Sequence, residues 1–287
     1  MFQRCKNHPG SIPVGPGCGT GKLPGRRDCL VPRGETTNLR SDGGCGSGPV
    51  SPVVYVHIPK AAGTTLKNLL AKVYRGRPVL FFTPRTGELD RFRGLPAEQR
   101  RRVAVVAGHE PFGYQDVFRG CRVTPAVVTV LREPVARVVS LFRYIHRDAE
   151  HPRHGEFVRD SVTIGDVYER LRLPAFDNHM TRFLAGRGAF SKPFGGLDER
   201  DLRAAEQNLS AGCRVFGLQE RFEDSLAWFG RELGWPPVGT PDLNRAPRRS
   251  TARDVDEADR RLIERHNTLD AALYAFAVKL FEERVSA

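Results

Sequence analysis

Short apolar runs alternate with segments of helical periodicity along most of the chain. β-branched and aromatic residues fill 53–58, which predicts a buried strand, and apolar residues at helical spacing follow in 64–74. Further strand-like runs lie at 79–82, 103–107, 127–131 and 215–218, and helical patterns lie at 134–146, 222–233 and 254–283, with a mostly helical stretch at 156–210. Strands that alternate with helices predict an α/β fold with a central parallel sheet and helices on both of its faces.

The first 50 residues lack this pattern. They contain 11 glycines and 6 prolines and show no hydrophobic periodicity. Such a composition buries too little apolar area to offset chain entropy. We expect a disordered Gly/Pro-rich segment at 1–50 and one folded domain at 51–287.

Composition narrows the class of protein. Apolar residues make up 40% and charged residues 27% of the chain, which is typical of a soluble globular protein. No apolar run is long enough to span a bilayer, and no secretory leader is visible, so we expect no stable membrane insertion. Cys121 and Cys213 are predicted to be buried thiols, and the cysteine pattern favours a reducing compartment. These features together predict a cytoplasmic protein.

The net charge of +12 suggests that the protein binds a negatively charged partner, and the kind of partner has to be decided from other features. The basic residues are spread along the chain and are not interleaved with exposed aromatic residues, so nucleic-acid binding is not expected. The excess is mostly arginine, whose planar fork suits phosphate and sulfate. A site for a polyanionic small molecule fits this charge better.

The turn at 59–65, between the first strand and the first helix, has the residues of an anion site. Unpaired N–H groups at a helix N-terminus attract anions. Gly63 allows close approach, Thr64 and Thr65 add hydroxyl donors, and Lys60 adds an ammonium group. The nucleotide triphosphatase P-loop differs, because its lysine follows the glycine. An ordinary strand–helix turn with a capping threonine is the alternative interpretation.

A second candidate anion site follows the strand at 127–131. Arg132 stands at the strand end, where open α/β sheets bind ligands, and Ser140 lies eight residues further on the next helix. Alternatively, Arg132 is a surface cap and Ser140 a small packing residue. Glu133 and Arg137 have the spacing of a helix ion pair. Two anion sites at separate strand ends suggest a donor with two separated phosphates, such as a 3′,5′-bisphosphorylated adenosine.

Several segments together resemble the sulfotransferase superfamily, in particular the branch of heparan and uronyl 2-O-sulfotransferases and their bacterial relatives. HIPKAAGTTL (57–66) is similar to that family's 5′-phosphosulfate loop, and LREPVARVVSLFRY (131–144) to its 3′-phosphate motif. DNHMTRFLAG (177–186), the segment at 215–235 and LDAALYAFA (269–277) extend the resemblance over most of the chain after residue 52. It implies a P-loop-NTPase-like sulfotransferase fold and the donor PAPS (3′-phosphoadenosine 5′-phosphosulfate), with no metal.

The resemblance also implies roles for single residues. Lys60, Ala62, Gly63, Thr64 and Thr65 would hold the 5′-phosphosulfate, and Arg132 and Ser140 the 3′-phosphate. The segment 106–112 resembles the family's H-G-H-V-S-[YF] stretch, with Ala107 in place of the first histidine. Only His109 therefore carries over as the general base, with Lys60 as the second catalytic residue. Glu110 is a candidate second base or orienting group.

The remaining polar candidates carry weaker signals. Asn178 and Arg182 suit a sugar that bears carboxylate or sulfate, so they are candidate acceptor residues beside Glu110. His57 alternates within the first strand and is interpreted as structural. Three histidines, at 146, 151 and 154, lie in a charged loop without the cysteine or carboxylate pattern of a metal site.

The sequence thus predicts an O-sulfotransferase that uses PAPS and acts on a small-molecule or glycan hydroxyl. Carbohydrate hydroxyls are the preferred acceptors. A P-loop-type nucleotide or small-molecule kinase is the first alternative, and it would require ATP and magnesium. A nucleic-acid-binding protein is the second.

Overall fold

In the part of the chain that the structure describes, five parallel strands form one sheet. The structure is a computed structural model that describes residues 49–50, 52–83, 87–236 and 255–286. The strands are β1 (Val53–Val56), β2 (Val79–Phe81), β3 (Val105–Gly108), β4 (Ala126–Leu131) and β5 (Val215–Leu218). They lie in the order β2-β3-β1-β4-β5, and each neighbouring pair is parallel. The predicted α/β fold with a parallel sheet is confirmed.

Both faces of the central strands are covered. Every residue of β1 and of β4 is buried. Because successive side chains of a strand point to opposite faces, complete burial requires packing on each face. Valine dominates both strands, as expected for strands that lie inside a parallel sheet.

Helices flank this sheet and connect its strands. They are α1 (Gly63–Val73), α2 (Glu88–Arg93), α3 (Ala97–Arg100), α4 (Pro134–Arg147), α5 (His154–Arg159), α6 (Ile164–Asp166), α7 (His179–Ala185), α8 (Arg187–Phe190), α9 (Glu199–Gln207), α10 (Phe222–Leu233), α11 (Glu257–His266) and α12 (Thr268–Val285). Short 3₁₀ or π turns lie at Tyr114–Phe118, Val167–Leu171, Pro174–Phe176, Asn208–Gly212 and Gln219–Arg221. Of these helices, none is both long and apolar enough to cross a membrane.

The predicted helical stretch at 254–283 is two helices rather than one. Asn267 separates α11 from α12 and is fully enclosed. Its amide nitrogen donates to the Tyr168 hydroxyl at 3.0 Å and to the Ile263 carbonyl at 2.9 Å. Its amide oxygen accepts from the Asn178 backbone N–H at 3.0 Å. These hydrogen bonds stabilise the break between α11 and α12 at Asn267.

Other sequence expectations fall partly outside the described residues. The disordered segment expected at 1–50 does so except for residues 49 and 50, and so do the four N-terminal cysteines. All described residues belong to one compact unit, Gly43–Ala287. Cys121 and Cys213 are free buried thiols, as predicted.

The strand order places a topological switch point between β1 and β4, the position at which open α/β sheets form a crevice. These two strands are neighbours, but the chain leaves β1 toward β2 on one side and β4 toward β5 on the other. Open α/β sheets bind ligands outside the carboxyl ends of strands where the connections diverge in this way. Both predicted anion-binding turns begin at these two strand ends.

Candidate active site

The turn after β1 adopts a backbone conformation that favours anion binding. Lys60 and Ala62 both have left-handed conformations, with φ of 70° and 54°. Left-handed residues that alternate with others direct successive N–H groups into one concavity. Non-glycine residues adopt this region at an energetic cost, and such strain clusters at ligand-binding sites.

The N-terminus of α1 is open at the end of this turn. Its N-cap is Ala62, and no side chain within the described residues caps it. The first N–H groups of a helix have no partner inside the helix and carry partial positive charge. Here they belong to Gly63, Thr64 and Thr65, and Thr64 is exposed. Nitrogen and hydroxyl donors are thus gathered at one point.

Gly63 is required by close packing rather than by its own backbone angles. A Cβ atom at this position would lie 1.5 Å from Nε2 of His57. The imidazole of His57 therefore rests directly on the Gly63 Cα at the start of α1. Any larger residue would displace either the turn or this ring.

Lys60 points along the crevice toward α4. Its Nζ lies 3.9 Å from the centre of the Tyr144 ring, a cation–π contact. Burial, followed by the nearby Arg147 and Arg132 cations, lowers the pKa of Lys60 to about 8. The ammonium group is thus a partly desolvated cation at a site rich in positive charge.

Arg132 connects the two turns. Its side chain is 5% exposed, so it is not the surface cap considered from the sequence. Nη1 donates to the Lys60 carbonyl at 3.0 Å. Ser140 is half-buried, two turns along α4 from its start. The structure therefore brings Arg132 and Lys60, predicted from separate motifs, into direct contact.

The start of α4, unlike that of α1, is closed by its own N-cap. Glu133 accepts hydrogen bonds from the N–H groups of Val135 and Ala136 at 2.9 and 2.6 Å. The predicted Glu133–Arg137 ion pair is therefore wrong. Arg137 is fully buried, and its Nη2 donates to the Ala175 carbonyl at 2.9 Å. An anion near α4 would thus be bound by side chains rather than by the N-terminus of the helix.

His109 follows β3 and has a defined tautomer. Its Nδ1 lies 2.8 Å from the backbone carbonyl oxygen of His57. A carbonyl only accepts, so Nδ1 carries the proton and the lone pair of the neutral ring is on Nε2. Burial lowers the pKa of His109 below its ordinary value, against the raising effect of the hydrogen bond to His57. The neutral ring is therefore the form present at neutral pH.

Glu110, a candidate acceptor residue and a candidate orienting group for His109, lies in a surface cleft. The Nδ1 of His109 is already bonded to the His57 carbonyl, so Glu110 does not orient the ring through that atom. Instead Glu110 lines a cleft of about 360 Å³, together with Thr83, Arg93 and Phe190. Glu110 is the residue directly after His109, so this cleft is adjacent to His109 in sequence.

Asn178 and Arg182, predicted as acceptor residues, are used inside the fold. Asn178 accepts from the N–H groups of Leu269 and Asp270 at 2.9 and 3.0 Å, at the start of α12. Arg182 is 1% exposed and pairs with the buried Asp177 carboxylate. Both side chains join α7 to its neighbours, so neither is carried further as an acceptor residue.

The sequence interpretation missed the position of His57. Its ring lies 4.0 Å from the His109 ring, centre to centre, and 5.2 Å from the Tyr55 ring. Burial lowers the pKa of His57 to about 3, with His109 as the next cause. Only the register of β1 against β3 could have revealed this contact, and one sequence does not give that register.

Comparison with known proteins supports a sulfotransferase family. The chain is 27% identical over 254 residues to galactose-3-O-sulfotransferase 3 of Mus musculus. The matched region covers 82% of this chain and 57% of that protein, so the chain spans little more than half of the relative's length. No protein-family model matches the chain. The match does not confirm the heparan and uronyl 2-O branch.

This relative also corrects one expectation. The predicted cytoplasmic location is wrong, because the similar galactose-3-O-sulfotransferase is a Golgi-type enzyme. Composition and cysteine pattern describe the chemistry of the folded chain and do not encode its cellular compartment. The expectation therefore rested on features that do not determine the compartment.

Proposed function

We propose that this protein is an O-sulfotransferase that transfers a sulfuryl group from PAPS to a hydroxyl of a carbohydrate. One observation carries the proposal. The turns after β1 and β4 lie at the divergence point of the sheet and are joined by the Arg132–Lys60 hydrogen bond. Two linked anion sites at one crevice fit the two ends of a bisphosphorylated adenosine.

The donor would be held by two chemically different sites. The open N-terminus of α1 and the Lys60 ammonium suit the 5′-phosphosulfate, because N–H groups and a cation surround one concavity. Arg132 and Ser140 suit the 3′-phosphate, since the N-terminus of α4 is already capped by Glu133. Guanidinium groups bind phosphate through parallel hydrogen bonds.

PAPS supplies the sulfuryl group: a bond forms between sulfur and the acceptor oxygen, and the bond from sulfur to the 5′-phosphate oxygen breaks. Nε2 of His109 accepts the proton of the acceptor hydroxyl. Lys60 and the α1 N–H groups stabilise the negative charge that develops on the departing phosphate. Hydrogen bonds within the fold hold both parts of this arrangement, His109 through the His57 carbonyl and the Lys60 turn through Arg132.

The acceptor would enter through the cleft lined by Glu110. Glu110 and Pro111 of that cleft come directly after His109 in the segment that follows β3. A carbohydrate acceptor is supported by the name of the similar mouse protein, a galactose-3-O-sulfotransferase. The motif resemblance to 2-O-sulfotransferases also supports a sugar hydroxyl.

The direct test is incubation of the purified chain with sulfur-labelled PAPS and a panel of oligosaccharides, followed by mass spectrometry. We expect a labelled sugar that has gained one sulfuryl group. A parallel incubation with ATP and magnesium tests the kinase alternative. Transfer of phosphoryl from ATP, with no transfer from PAPS, would overturn the proposal.

A further inference from the structure

The ends of β1 and β3 place two imidazoles against each other. Val56 pairs with Gly108 in register, and the His57 N–H donates to the Gly108 carbonyl at 3.1 Å. His57 and His109 are therefore the next residues along two paired strands. Their rings are tilted by 35° at a centre-to-centre distance of 4.0 Å.

His57 contacts His109 through both its backbone and its side chain. Its carbonyl accepts from Nδ1 of His109 at 2.8 Å, and its ring covers one face of the His109 ring. The hydrogen bond fixes one edge of the His109 ring, but it still permits tilting about that edge. The His57 ring, in contact at 4.0 Å, limits this tilting.

The His57 ring also contacts the turn at 59–65, called the donor turn here because it would hold the 5′-phosphosulfate. Nε2 of His57 occupies the space where a Cβ of residue 63 would lie. The Tyr55 ring also stacks on the His57 ring, at a centre-to-centre distance of 5.2 Å and an angle of 15°. One rigid ring thus separates Gly63 from His109 and fixes their spacing.

We propose that the His57 imidazole is a positioning residue that orients His109 and sets its distance from the turn that starts α1. This inference rests on the proposed function, since it assigns the base of that reaction a partner. His57 remains neutral during the reaction, so it adds no charge that would oppose proton uptake by His109. Positioning of His109 requires a flat side chain at residue 57, and that side chain does not have to accept a proton.

The test compares His57→Ala and His57→Phe. We expect His57→Ala to lower kcat about 10- to 100-fold with little change in PAP affinity, because small misplacements of a catalytic group cost this much. His57→Phe keeps a flat ring and should recover most of the rate. If His57→Ala does not fold, His57→Leu fills the same volume without a flat ring and replaces it.

The matched control is His266→Ala. His266 also stacks on a tyrosine, Tyr168, at 4.7 Å and 10°, outside the proposed site. This variant should keep kcat. A loss of kcat in His57→Ala no greater than in His266→Ala would overturn the inference.

Nitrogen NMR of the histidine rings gives a readout that needs no activity. We expect the proton of neutral His109 on Nδ1 in both proteins, because the His57 carbonyl belongs to the backbone and remains in His57→Ala. In His57→Ala the pKa of His109 should move closer to its ordinary value, because the ring that helps to bury it is gone. The other groups that bear on His109 and its partner, Lys67 of α1, Lys60 and His179 of α7, remain in place. An unchanged titration of His109 in His57→Ala would overturn the inference, even if the protein transfers no sulfuryl group.

Discussion

Arg132 donates a hydrogen bond of 3.0 Å to the backbone carbonyl of Lys60. The bond joins residues 72 positions apart in sequence, each in the turn that follows one of two paired strands. An arginine that holds the donor turn from the neighbouring strand can bind a second anion at a fixed distance from the first. This link is the physical basis of the proposed donor site.

Arg132→Ala should weaken binding of adenosine 3′,5′-bisphosphate (PAP) about 10- to 100-fold, the usual contribution of a hydrogen bond to a charged group. Adenosine 5′-phosphate, which lacks the 3′-phosphate, should lose much less. Isothermal titration calorimetry with both nucleotides measures this difference. Arg159→Ala, which removes an exposed arginine paired with Asp160, is the control for charge alone. Equal losses for both nucleotides would contradict the assignment of Arg132 to the 3′-phosphate.

The pH dependence of PAP binding should report Lys60. Its pKa is lowered to about 8, so the free protein loses the ammonium proton as the pH rises through this value. Bound phosphate favours the charged form, hence affinity is full below pH 8 and falls above it. Lys60→Arg keeps its charge at all these pH values and should remove the decline between about pH 8 and pH 10, because arginine does not deprotonate there. The same decline in Lys60→Arg would assign it to another group.

Gly63→Ala should both destabilise the fold and prevent donor binding. The added Cβ meets His57 at 1.5 Å, and overpacking of this kind costs about 1–3 kcal/mol. The double variant Gly63→Ala/His57→Ala removes the obstacle and should recover much of the thermal stability. Gly230→Ala in α10, where a Cβ has no atom within 4 Å, is the matched control. No recovery in the double variant would show that the clash is not the cause.

His109→Ala should retain PAP affinity and lose about 10²-fold or more in kcat, the scale of a positioned base. In the unaltered protein kcat/KM should fall with decreasing pH, because a protonated His109 accepts no proton. Burial lowers the pKa of His109 below 6.5 in the free protein, so the acid limb of kcat/KM lies below pH 6.5. Steady-state rates from pH 5 to pH 8 measure this limb. A limb above pH 6.5, or full activity of His109→Ala, would contradict its role as the base.

The Asp177–Arg182 pair should act on stability rather than on acceptor binding. Both side chains are buried, at 3% and 1% exposure, and removal of one partner leaves an unpaired buried charge. Arg182→Met should therefore cost about 3–5 kcal/mol of unfolding free energy. Arg170→Met breaks the exposed pair with Asp166 and should cost at most about 1 kcal/mol. Denaturant unfolding of the two variants, with acceptor KM measured on the folded fraction, separates the two roles.

Local patterns were sufficient to predict several elements of the fold. The strand at 215–218 and the helix at 222–233 have the predicted bounds, and α4 begins at Pro134 as expected. Pro at the first helical turn and a buried β-branched strand are signals that depend only on neighbouring residues. The turn at 59–65 was likewise predicted from neighbouring residues alone.

Features that depend on register and long-range packing could not be predicted in this way. The sequence interprets His57 as structural because it alternates within the first strand, whereas its contact with His109 depends on the pairing of β1 with β3. Asn178 and Arg182 matched an acceptor motif, yet their partners lie inside the fold and partly in α12. Polar residues at buried helix junctions and polar residues at binding sites have the same composition. Only their contacts distinguish them.

A crystal structure of the protein with PAP would test the joint donor site most directly. We expect the 5′-phosphate at the N–H groups of Gly63, Thr64 and Thr65, beside Lys60, and the 3′-phosphate at Arg132 on the other side of the 3.0 Å hydrogen bond. A nucleotide bound elsewhere, or bound with Lys60 and Arg132 directed into separate pockets, would contradict the proposed donor site and with it the proposed reaction.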